Sequence, residues 1–143
     1  MINSIIEAVG VALNGEFGDN YTIYAEPVRQ GLKEPCFFIL CISSSDQLFF
    51  GKKYLLKNQF CIQYFPADKD NVRAECIEVC GRLYSCLEYI TAGGDLTMGT
   101  KMHAEISDGI LNFFVNYDMF VYKKTEADAM EELHEKIDAK GDK

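Results

Sequence analysis

The sequence predicts an α+β fold: a two-layer domain with two main helices on one face of a mixed or antiparallel sheet of about five strands, in the order α-β-β-β-α-β-β. Two stretches repeat apolar residues at helical spacing, and several others alternate with period two. An Asp108-Gly109 pair sits between the last two alternating stretches, a strong signal for a tight hairpin. Helices with one apolar stripe and a sheet with one apolar face cover each other.

The first element is a helix. Ile2, Ile5, Ile6, Val9, Ala12, Leu13 and Phe17 fall on one face, and Gly15 and Gly18 mark its end. Tyr21 to Glu26 is β-branched and aromatic, as strands are, and Pro27 closes it. Val28 to Glu34 reads as a loop. From Cys36 to Ile42 the chain is apolar on both faces, which predicts a central or doubly covered strand. Ser43-Ser44-Ser45-Asp46 reads as a polar turn, with Gly51-Lys52-Lys53 completing a longer loop. A third strand is expected from Tyr54 to Phe65, where Phe60, Ile62 and Tyr64 oppose Gln59, Cys61 and Gln63.

After Pro66, Asp68 or Asp70 is expected to cap a helix reaching about Ile90. Val72, Cys76, Val79, Leu83, Leu87 and Ile90 form its stripe, and Gly93-Gly94 breaks the chain. Thr100 to Asp108 alternates Met102, Ala104 and Ile106 with Lys101, His103 and Glu105. Ile110 to Tyr122 then forms a long strand with Leu111, Phe113, Val115, Tyr117, Met119 and Val121 on its core face. The domain is therefore expected to span 1–122, followed by a charged extension over 123–143, helical or disordered. Met130, Leu133 and Ile137 could line a weak helical face there. Seven acidic residues against three lysines from Glu126 onward favour solvation.

With 143 residues the chain is long enough for one well-filled core, and 48% hydrophobic residues exclude a disordered chain. A formal net charge of −8 argues against a general nucleic-acid binder, because neutralising phosphates takes clustered Lys and Arg. No apolar run suits a bilayer span, and the first residues lack the pattern of a signal peptide, so a cytoplasmic, non-membrane protein is expected. Cys36, Cys41, Cys61, Cys76, Cys80 and Cys86 include no Cys-x-x-Cys pair; they read as buried reduced thiols rather than metal ligands.

Catalytic signatures are missing. His103 falls on the polar side of a strand and His134 in the charged extension. Gly93-Gly94-Asp95 suits a turn better than a phosphate cradle, and no nucleophile elbow or paired-histidine metal motif occurs. The expectation is no enzyme, no cofactor and no metal. What stands out is aromatic surface: Phe49 and Phe50 beside a polar loop, and Phe114, Phe120 and Tyr122 on the far face of the last strand. Cover within the monomer and a subunit interface both account for it. An overhanging strand also offers unpaired backbone for strand addition.

Several stretches together resemble one family. They are Met1-Ile2-Asn3-Ser4-Ile5-Ile6-Glu7-Ala8, Glu16-Phe17-Gly18-Asp19, Gln30 to Phe38, Asn58 to Pro66 and Asp108 to Tyr117. They are similar to the phage tail terminators of prophages in Gram-positive bacteria, over about residues 1–122. Members are similar in fold to the tail-completion protein of phage lambda. The resemblance implies a structural protein forming a hexameric ring. That ring caps the tail tube, stops its polymerisation and offers a joining surface to the head connector. DNA passes through without sequence-specific binding.

On this reading the partners are other copies of the chain, the tube protein and the head–tail connector, first in the host cytoplasm and then at the neck end of the virion tail. The candidate interface is the outer face of the last strand, Asn112, Phe114, Asn116, Phe120 and Tyr122. The loop carrying Arg29, Gln30, Leu32 and Lys33 is a second candidate. Another neck component, such as a head-closure protein, is the nearest alternative; a small-molecule-binding α+β domain is a more distant one.

Overall fold

The computed structural model describes residues 1–26, 28 and 30–123. Helix α1 (Ile2–Phe17) is followed by strand β1 (Thr22–Tyr24) and the long strands β2 (Cys36–Phe50) and β3 (Lys53–Phe65). Helix α2 (Val72–Cys86), β4 (Tyr89–Ala92), β5 (Asp95–Ser107) and β6 (Ile110–Tyr122) complete the domain. The strands make one six-stranded sheet in the order β1-β2-β3-β6-β5-β4, one strand more than expected. Only β1 pairs in parallel; every other neighbour is antiparallel. The expected α+β class and layering hold.

Both helices lie on one face because their apolar stripes match the alternation beneath them. Ile5, Val9, Leu13 and Phe17 of α1 and Cys76, Val79 and Leu83 of α2 are buried with Phe37, Phe60, Ile62, Tyr64, Leu111, Phe113, Val115 and Tyr117 of the strands. Burying such side chains stabilises by about 1.5–3 kcal/mol each relative to exposure. Arg82 ties the helices together: its Nε donates to Glu16 Oε1 at 2.9 Å, a terminal nitrogen donates to the Glu16 carbonyl at 2.8 Å, and its guanidinium lies over Phe17. The expected Asp108-Gly109 hairpin forms, with both residues at positive φ.

Four boundaries differ from the sequence expectation, each for a physical reason. Ser43 to Asp46 is strand, not turn: these residues pair with Leu56 to Gln59 of β3, and the reversal comes at Gly51-Lys52, with Gly51 at φ 56°. The stretch is polar because it lies largely open to solvent, with Ser43, Ser44 and Asp46 exposed. The second helix ends at Cys86, not near Ile90. Leu87 still packs at helical spacing, but Tyr89 to Ala92 alternates exposed and buried residues and pairs with β5. For the same reason β5 begins at Asp95 rather than Thr100, and Gly93-Gly94 is the turn of that hairpin. The N-cap of α2 is Asn71; Asp68 instead accepts hydrogen bonds from the Asp70 backbone N–H and the Asn71 amide just before it. The expected extension from residue 124 onward lies outside the described residues.

One junction governs the β4–β5 edge. The Gly99 N–H donates to the Glu88 carbonyl at 2.6 Å, and the Tyr117 hydroxyl, fully buried, donates to the Leu87 carbonyl at 2.7 Å. A Cβ on Gly99 would stand 2.6 Å from the Leu87 oxygen and 2.9 Å from Val115 Cγ2, so only glycine fits. Gly99→Ala is expected to lower stability by about 1–3 kcal/mol through overpacking. Tyr117→Phe, which leaves the Leu87 carbonyl without that donor, is expected to cost about 1–3 kcal/mol. Urea unfolding of each variant checks both.

Candidate assembly surface

β3 and β6 stay in unbroken register from Lys53↔Tyr122 to Tyr64↔Leu111, and β2 runs alongside β3 from Cys36 to Phe50. The start of α1 reaches as far as Ser44, Asp46, Leu56 and Asn58. Beyond them the strands run on as a three-stranded arm, with about 13 Å of β2 (residues 47–50) at strand rise. Its tip is apolar and open to solvent: Leu48 is 62% exposed, Phe49 59%, Phe50 79%, Phe120 49% and Tyr122 78%. Such clustering on a surface marks an interaction site more often than scattered apolar residues do.

Local contacts hold these side chains in place without covering them. Phe49 and Phe120 meet edge to face at 5.0 Å, and Lys53 Nζ lies 4.4 Å from the centre of the Phe120 ring. Lys123 pairs with Asp46 and lies over Tyr54, fastening the end of β6 to β2 and β3. At the arm's base, Ser44 Oγ donates to Asn58 Oδ1 at 3.0 Å, and the Asn58 amide donates to the Tyr117 carbonyl at 3.2 Å. That pairing satisfies a polar side chain that is 2% exposed.

The five β6 candidates share the face away from the helices. Asn112 accepts from Gln63 Nε2 at 2.9 Å; Phe114 is half-buried under the His103 ring, stacked at 4.7 Å; Asn116 lends its carbonyl to the Thr100 hydroxyl. Phe120 and Tyr122 continue this face onto the arm. The second candidate surface is not brought beside them. The loop leads into β2 at Cys36, which pairs with Phe65, whereas Phe120 and Tyr122 pair with Leu55 and Lys53 at the opposite end. Of that loop, Gln30 and Leu32 are exposed, the Lys33 backbone N–H donates to the Tyr24 hydroxyl at 3.1 Å, and Arg29 lies outside the described residues.

Two strand edges are unpaired: the overhang of the last strand was expected from its length, whereas the edge of β2 escaped sequence reasoning. β1 covers β2 only at Cys36 to Phe38, so among the described residues Ile39 to Phe50 has no strand on that side. β5 covers β6 only as far as Gly99↔Tyr117, so Asp118 to Tyr122 is likewise unpaired on its β5 side. β5 instead pairs with β4 over Asp95 to Met98, and the divergence opens a cleft of about 480 Å3 between β5, β6 and the start of α1, where Met1 and Ser4 line it. Asp118 Oδ1 lines this region, buried and without a hydrogen-bond partner. A run of strand-forming residues longer than its neighbours' is the signal that could have revealed these edges.

Among the described residues no group of His, Cys, Asp and Glu is arranged to hold a metal, and no helix is long and apolar enough to cross a membrane. The thiols are poor nucleophiles. Burial pushes Cys61 up to about 11 and Cys86 up to about 12, and holds Cys36, Cys41, Cys76 and Cys80 above the ordinary value. Tyr64 is shifted upward by burial and by its 2.6 Å hydrogen bond to Glu75. A raised thiol pKa leaves less thiolate at a given pH. Iodoacetamide at pH 8 is therefore expected to label Cys61 and Cys86 at least tenfold more slowly in the native protein than in urea. Peptide mass spectrometry reads this directly.

Comparison with known proteins adds two findings. A family model described as "Phage tail terminator protein" matches residues 4–129. A solved structure is similar at 10% identity over 87% of this chain and 97% of its own, with a TM-score of 0.40, too loose a likeness to carry an argument. No curated protein matches.

Proposed function

The chain belongs to the phage tail terminator family, a family of structural proteins of the virion tail, and from that membership we propose that it forms a hexameric ring on the end of the tail tube. The ring stops further addition of tube subunits and presents its other side to the head–tail connector. DNA passes through without being read. Assembly takes place in the host cytoplasm, before the protein becomes part of the neck end of the tail.

The observation that carries this reading is the arm, a helix-free extension of three strands whose tip exposes aromatic side chains held in place by their neighbours. A monomer gains nothing from leaving such a tip in water, since burying it against a partner contributes hydrophobic free energy. The uncovered face of β6, with Asn112, Phe114, Asn116, Phe120 and Tyr122, serves as a contact surface of the assembly. Gln30, Leu32 and Lys33, in the loop leading into the opposite end of β2, meet a different partner in this reading. This separation fits a protein inserted between tube and connector.

The reading is tested by negative-stain microscopy of the purified protein mixed with polymerising tube subunits. Capped tubes of limited length are expected; tubes that grow without limit in its presence overturn it. Phe120→Ser combined with Tyr122→Ser is expected to weaken tube capping at least tenfold, with circular dichroism like that of the parent chain.

A further inference from the structure

The two unpaired edges lie on opposite sides of the same arm, and they are different edges. β2 and β6 are both antiparallel to β3, so both run from the base of the arm toward its tip. When two copies stand side by side with their arms pointing the same way, the β2 edge of one faces the β6 edge of the next, and the two strands are parallel. Each copy then offers one edge and receives another. This is a heterologous contact, the type that closes into a ring under rotation.

We infer that the ring is joined by a sheet running between copies: the free edge of β2, within Ile39 to Phe50, pairs with the free edge of β6, Asp118 to Tyr122, of a second copy. The inference rests on the ring reading above and specifies the contact that builds the ring. The β6 edge spans five residues without a neighbour on its β5 side, and backbone pairing is how edge strands recruit partners.

The side chains agree with the backbone. The incoming β2 edge carries Leu48 and Phe50, 62% and 79% exposed. The receiving cleft offers Leu96 at 71%, Met98 at 50% and Phe120 at 49%. Lys53, beside the turn of the incoming hairpin, and Asp95, on the wall of the cleft, carry opposite charges. The cleft has room for a strand because β5 departs at Gly99, where the close approach of the Leu87 carbonyl excludes a side chain.

The test uses the full chain assembled on purified tail tubes, with the photo-crosslinking amino acid benzoylphenylalanine in place of Leu48. After irradiation, mass spectrometry locates the product. The expected result is a ladder of crosslinked copies whose adducts map to residues 95–98 or 118–122 of the neighbouring chain. Rings present by microscopy but with adducts elsewhere overturn this inference and leave the ring reading standing. Adducts from Leu48 to residues 41–50 of a second copy also overturn it, because they report a closed two-fold pair. If no rings form on the tubes, the ring reading fails and this inference with it. As an independent arm, Leu96→Asp is expected to weaken ring formation at least tenfold, whereas Val11→Asp, at a 74% exposed position outside the cleft, leaves it unchanged. Equal effects of the two substitutions would count against the cleft.

Discussion

The backbone carbonyl of Leu87 sets the shape of the molecule around it. It accepts the hydroxyl proton of Tyr117 from β6 and stands where any side chain on Gly99 of β5 would have to go. Three elements thus meet at one atom: the segment leaving α2, the middle of β5 and the middle of β6. The low local dielectric makes such a buried hydrogen bond strong and its absence costly. With that point fixed, β5 cannot follow β6 to its end. It turns away to pair with β4, and the last residues of β6 are left with a neighbour on one side only.

The divergence divides the sheet into two regions of different purpose. At the base, both helices cover one face and the aromatic rings are part of the core, with Phe17, Tyr21, Phe37 and Tyr64 in mutual contact. At the tip of the arm no helix covers the strands, and the rings of Phe49 and Phe120 touch each other while remaining open to water. The aromatic residues therefore do two jobs. Where burial raises thiol and phenol pKa values, the affected groups are core components held in their neutral forms rather than reactive centres.

Much of the helix-covered base was legible in the sequence because its physics is local. A stripe such as Ile5, Val9 and Leu13, or an alternation such as Leu111, Phe113 and Val115, states which side is buried wherever the element lands. The arm was harder to read for the opposite reason. Ser43-Ser44-Ser45-Asp46 has the composition of a turn, and only its pairing with β3 makes it a strand. Ile90 continues the helical stripe of α2 and is indeed buried, yet from a strand, because the inward positions of a helix end and of a following short strand coincide there. The candidate residues on β6 were correctly assigned to the face without helices. The overhang of β6 was legible from the length of its run, but the free edge of β2 was not, since it depends on where β1 stops.

The twelve consecutive pairs between β3 and β6, without a bulge, have a mechanical consequence. Those two strands pass from beneath the helices to the tip with no break in their hydrogen bonding, whereas β2 beside them shifts register between Cys41 and Ser43. The β3–β6 pair is thus a continuous lever between body and tip, and in the ring we propose a push at the tip would tilt the whole subunit through that pair, so that the bore would change as the subunits lean together.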